Sequence, residues 1–173
     1  MSKTPRHADR DLFFQVLGTI AMCVLAFVEM AFGQFPVFFG SAPLIMVIGV
    51  VILVHYLPVA LPLAAVVLAG LVFDLLQGVP PGFTPSLLLL AMIISLSRAP
   101  VLAHADAGTV WYEFAFVLAG LQLYSFGLNI FWSGAVPAIR PYVFQYAVTV
   151  LIFPMLFWGL APLKVLTLPE RSG

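Results

Sequence analysis

The chain has 173 residues, 63% of them hydrophobic and 8% charged, with a formal net charge of zero and a mean hydropathy of +1.14. A soluble domain needs about a quarter of its residues charged to face water, so this composition excludes a water-soluble globule and makes a bilayer the solvent. At about 20 residues per span there is room for five to seven helices and no separate soluble domain, and the absence of a Lys/Arg cluster sets nucleic acid aside as a partner.

Lys3, Arg6 and Arg10 lead into a first apolar segment, residues 12–32. It is too long for a secretory signal, and no Ala-x-Ala cleavage site follows it, so it reads as a retained first helix. Its Cys23, the one cysteine of the chain, makes neither a disulfide framework nor a metal site and reads as a small buried packing residue. Glu29 stands near the end of the segment, where a carboxylate most simply reaches the lipid headgroups.

Further segments follow at residues 42–56, 58–77, 82–97, 109–131 and 142–160. Gly40-Ser41-Ala42-Pro43, Leu57-Pro58, Pro80-Pro81-Gly82 and Pro141 stand where the chain must reverse, since glycine suits the turn before a helix and proline its first turn. A helix is how a lone apolar segment satisfies its own backbone in hydrocarbon. The second and fourth segments fall short of the about 18 residues that even a thin bilayer requires, which leaves each open as a partial or re-entrant helix. The expected architecture is an all-α integral membrane bundle of about six transmembrane helices. It forms one domain, residues 12–162, between cytoplasmic tails at residues 1–11 and 163–173.

Orientation follows from the positive charges of the short loops. With the N-terminus inside, Lys3, Arg6, Arg10, Arg98, Lys164 and Arg171 are cytoplasmic and Arg140 alone is outside, a split of six to one. An odd number of spans would move Lys164 and Arg171 outside and spoil the asymmetry. Trp111, Tyr112 and Trp158 then form an inner aromatic belt, and Trp132 and Tyr142 an outer one.

Polar residues recur at helical spacing: Gly70, Asp74 and Gln77 in the third segment, Gln122, Ser125 and Asn129 in the fifth, and Gln145 and Thr149 in the sixth. Most lie toward the outer side, near Arg140, and predict a polar cavity in the outer half of the bundle. The plainer alternative is a set of interhelical hydrogen bonds worth about 1 kcal/mol each. Asp74 at that depth needs a donor or a cation, and Arg140, Gln77, Asn129 and Gln145 are the partners the topology permits. Ala60, Ala64 and Gly70 have the spacing of close helix approach. His55 and His104 lie at inner boundaries, and neither has a second ligand at metal spacing. No nucleophile–base pair, phosphate loop or metal motif appears, so neither an enzyme nor a cofactor is expected.

One stretch carries a resemblance. Val54-His55-Tyr56-Leu57-Pro58, followed by Ala69-Gly70-Leu71-Val72-Phe73-Asp74-Leu75-Leu76-Gln77-Gly78-Val79-Pro80-Pro81-Gly82-Phe83, resembles the rod shape-determining protein MreD family. That family has an aromatic-x-Pro turn and then a Gly-Leu-x-x-Asp-x-Leu-x-Gly-x-Pro-x-Gly pattern, matched here by Gly70, Leu71, Asp74, Leu76, Gly78, Pro80 and Gly82. His55-Tyr56 departs from the tyrosine followed by tryptophan usual at that point of the family. The resemblance covers about a fifth of the chain, and the rest agrees in length, span number and shortness of loops. It implies a non-enzymatic scaffold of the cell-wall elongation complex in the bacterial inner membrane. It also implies MreC as partner, indirect links to MreB, RodA and a penicillin-binding transpeptidase, and a bundle similar to the substrate-binding subunits of energy-coupling-factor transporters. The alternative from the polar residues is a small-molecule binding subunit of a membrane transporter.

Overall fold

The computed structural model describes residues 5–35, 42–56, 61–102 and 105–159. Among them are six helices and no strand: α1 (Pro5–Gly33), α2 (Ile45–Tyr56), α3 (Leu63–Gln77), α4 (Phe83–Leu102), α5 (Ala107–Ser133) and α6 (Ile139–Gly159). Residues 12–33 of α1, together with α4, α5 and α6, are long and apolar enough to cross a membrane. At 1.5 Å per residue α2 and α3 span about 18 and 22 Å, short of the about 30 Å hydrocarbon core.

The chain order of packing is simple: α1 lies against α3, α3 against α4, α4 against α5 and α5 against α6, while α2 touches α1, α4 and α6. Helix α2 is therefore the central one, and Ile45 to Val50, Ile52, Val54 and Tyr56 are all buried. A helix apolar all round is stable only when surrounded on all sides, and α2 is enclosed by protein. Near the α2 C-terminus the rings of Tyr56, Phe157, Phe153 and Phe114 form a continuous pile, with the Phe114 and Phe153 centroids 3.8 Å apart.

Two close crossings depend on missing side chains. A Cβ on Gly70 would lie 2.8 Å from the backbone nitrogen of Pro85 and 2.9 Å from its Cα, so α3 meets α4 backbone to backbone at this point. On Gly49 of α2 it would collide with the Leu25 side chain of α1. Of the other small residues singled out by spacing, Ala64 is exposed and takes no part in a close crossing. Ala60 lies outside the described residues.

Several expectations need correction. Helix α4 is long enough for a full span, because it continues past Arg98 and Pro100 to Leu102. Arg98 does not end it, since its Nε lies 2.9 Å from Oε1 of Glu113 on α5 and the charge is met. The short helix beside α2 is instead α3, and the first residues of the predicted third span, 58–60, fall outside the described residues. Helix α1 begins at Pro5, while its part long and apolar enough to cross a membrane begins at Leu12, where the first span was expected. Cys23 is exposed, because the buried face of α1 follows Gly18, Met22 and Glu29 at helical spacing and Cys23 lies off that line. His104, Lys164, Arg171 and the C-terminal tail lie outside the described residues. His55 is half-buried, its ring against Tyr56 and Phe157.

Candidate functional site

Every helix that starts inside a bundle has backbone N–H groups with no partner in its own first turn, and hydrocarbon offers none. The chain solves this twice with the same device. Glu29, in the last turns of α1, is 5% exposed, and its Oε2 accepts from the Met46 N–H at 2.7 Å, capping α2. Asp74, in the last turn of α3, is fully buried. Its Oδ2 accepts from the Gly82 N–H at 2.8 Å and its Oδ1 from the Thr84 N–H at 3.0 Å, capping α4. A carboxylate set against a helix N-terminus also meets the positive end of the helix dipole.

The corner between α3 and α4 is shaped to make the second cap possible. Gly78 takes a left-handed conformation with φ of 67° and returns its N–H to the Asp74 carbonyl, and the Val79 N–H bonds the same carbonyl at 3.1 Å. Gly82 has φ of 99°, a conformation that side chains disfavour. With Pro80 between them, the chain reverses within a few residues and the start of α4 folds back onto Asp74.

Arg140, Gln77, Asn129 and Gln145 are therefore not what anchors Asp74. The carboxylate is already held by backbone donors eight and ten residues ahead in its own chain, which the tight turn delivers first. Arg140 is exposed in the first turn of α6, and the ion pair found among the described residues is Arg98–Glu113. Glu29 does not reach for headgroups either, since it turns inward to α2.

The remaining polar residues of α5 and α6 pin the segment leading into α2. Gln145 donates from Nε2 to the Ala42 carbonyl at 2.6 Å and accepts at Oε1 from Gln122 Nε2 at 3.1 Å. Thr149 accepts from the Leu44 N–H at 3.0 Å and donates to the Gln145 carbonyl at 2.6 Å. Together with Glu29 they fix residues 42–46 from two sides, α6 and α1.

Between these helix ends lies a cavity of about 360 Å³, lined by Glu29, Gln77, Ser125, Asn129, Tyr142 and Gln145 among others. All six helices contribute to it, at the end where α1 stops and α2 starts. Gly70, Asp74, Gly78, Pro80, Gly82 and Arg140 do not line it; all but Arg140 build the neighbouring corner. At the opposite end a void of about 30 Å³ beside His55, Arg98 and Glu113 has room for about one water.

Some contributors were not read from the sequence. Glu113 lies inside the predicted fifth span, and its signal is an intramembrane acid with Arg98 one helix earlier. Its Oε1 is buried without an aligned hydrogen bond, so the contact with Arg98 is an ion pair only. Asp106 caps α5, accepting from the Thr109 N–H at 3.2 Å and hydroxyl at 2.6 Å, a cap legible as an acid three residues before a threonine. The Thr109 hydroxyl holds the Asp106 carboxyl below the usual carboxylate range. Trp111, placed at an interface by its residue type, donates from Nε1 to the Val150 carbonyl at 3.0 Å. That carbonyl is the one Pro154, which lacks an N–H, cannot serve within α6. Compared with known proteins, the chain matches no protein-family model, no curated protein and no solved structure.

Proposed function

We propose that the chain is a non-enzymatic scaffold of the bacterial cell-wall elongation complex, a multi-pass protein of the inner membrane with both termini in the cytoplasm. The observation that carries this reading is the α3–α4 corner. The residues shared with the MreD pattern work there as one unit: Gly70 admits Pro85, Asp74 caps α4, and Gly78 and Gly82 make the reversal. A pattern whose members depend on one another in this way supports common architecture more strongly than the same residues scattered over surfaces. The short connections between α3 and α4 and between α5 and α6 leave little aqueous surface there, so a partner docks mainly on the lipid-facing flanks. The bundle is taken to resemble the substrate-binding subunits of energy-coupling-factor transporters.

The test is affinity purification of the tagged full chain from its native membrane, with co-purifying proteins identified. Recovery of a bitopic protein of the MreC type, with MreB, RodA or a penicillin-binding transpeptidase through it, is the expected result. Recovery of transporter ATPases instead would replace this reading with the transporter-subunit one, which the cavity favours on its own account.

A further inference from the structure

We propose that the cavity at the α1–α2 end binds an uncharged amphiphile, with hydroxyl groups on its head and a single apolar tail. At about 360 Å³ the space falls within the range of small-molecule sites, about 300–1,000 Å³. Its wall is divided in character. Gln77, Asn129 and Gln145 supply neutral donors and acceptors, while Met46, Phe73 and Leu88 are apolar.

The charges around it select against ionic heads. Among the described residues no Lys, Arg or His lines the cavity, and Glu29 stands in its wall, so a phosphate or carboxylate would enter without a counter-charge and against an acid. A cationic head gains little from Glu29, because the positive end of the α2 dipole lies against that carboxylate and offsets part of its charge. No metal-binding group of three or more ligands occurs among the described residues.

The tail has a place as well. A lipid-facing groove of about 410 Å³ runs between α5 and α6, lined by Ala119, Leu123, Phe126 and Val143 among others. Tyr142 borders both spaces, and the Gln122–Gln145 hydrogen bond stands between them, Gln122 on the groove and Gln145 on the cavity. Gln122 is 8% exposed and its Oε1 has no hydrogen-bond partner. That oxygen faces no open space, so the hydroxyls of the head bond instead to Gln77, Asn129 and Gln145 on the cavity wall. The head then occupies the cavity and the tail passes Tyr142 into the groove.

This site is independent of the scaffold role, and its test needs no partner protein. The full chain in phosphatidylcholine nanodiscs is incubated with monoolein, oleate, oleylamine or glucose, and retention is read by native mass spectrometry. Monoolein is expected to remain at one copy per chain, with the other three at least about tenfold weaker. Retention of oleate or oleylamine equal to monoolein overturns the neutral head, equal retention of glucose overturns the tail, and no retention of monoolein overturns the site. Asn129→Leu in the cavity and Ala119→Trp in the groove should each lower monoolein retention about tenfold. Unchanged binding in either folded variant places the lipid elsewhere and defeats the proposal.

Discussion

Asp74 and Glu29 serve as helix caps, but they use their oxygens differently. Asp74 receives donors on both oxygens, from Gly82 and Thr84, whereas Met46 donates to one oxygen of Glu29. Alanine at position 74 would leave two partly buried N–H groups without their acceptor, at a cost of about 1–3 kcal/mol each. Asp74→Asn keeps one acceptor oxygen and should cost about half as much, while Glu29→Gln keeps the oxygen that Met46 needs and should be the mildest of the three. Melting temperatures of the purified variants in detergent check the order. If Asp74→Asn is as damaging as Asp74→Ala, charge rather than acceptor capacity holds the corner. The sequence made both acids conspicuous because intramembrane carboxylates are rare. It could not name their partners, since a backbone N–H carries no sequence signature and the side chains Arg140 and Gln145 do.

At the scale of helices, the crossing of α3 and α4 at Gly70 sets backbone against the backbone of Pro85, which cannot swing aside as the Leu25 side chain beside Gly49 can. Gly70→Ala already puts a methyl group within 3 Å of backbone atoms, and Gly70→Leu should cost about 1–3 kcal/mol or prevent folding. Normal yield and melting temperature for Gly70→Leu would mean that α3 and α4 separate without penalty. The link between α5 and α6 is of another kind, because Trp111 repairs a bond that Pro154 removes. Trp111→Phe should cost about 1 kcal/mol, and less in a Pro154→Ala background, where the helix supplies its own donor to Val150. A double-mutant cycle measures this coupling, and strict additivity would show that the indole and the proline act separately. Spacing pointed to Gly70 but gave no warning of the indole bond, since Trp111 and Val150 are 39 residues apart. Helix limits were hard to read for a related reason: α4 passes Arg98 because its counter-charge sits on another helix.

For the molecule as a whole, composition alone announced helices in a bilayer, and the apolar runs located all six. What it could not rank was which helices stay inside. Helix α2 and the lipid-facing helices are all strongly apolar, and hydrophobicity does not distinguish burial in protein from burial in lipid. The polar residues did mark one end of the bundle, since Gln77, Asn129 and Gln145 come together around the cavity from three different helices. Which membrane face that end meets follows from the charges, and the geometry makes the question sharp. Ala107 and Ala135 lie at opposite ends of α5, whose 27 residues extend about 40 Å. Ala135 is at the cavity end. Among the described residues Arg6, Arg10 and Arg98 belong to the other end and Arg140 to this one, so that end should face outward. The exposed Cys23 is first replaced so that it does not report. Single cysteines at Ser2, Ala107 and Ser172 should then resist a membrane-impermeant thiol reagent in intact cells, while Ala135→Cys reacts. Labelling at Ser172 but not Ser2 would make the number of crossings odd, and labelling at Ser2, Ala107 and Ser172 with Ala135 protected would invert the protein and turn the cavity to the cytoplasm.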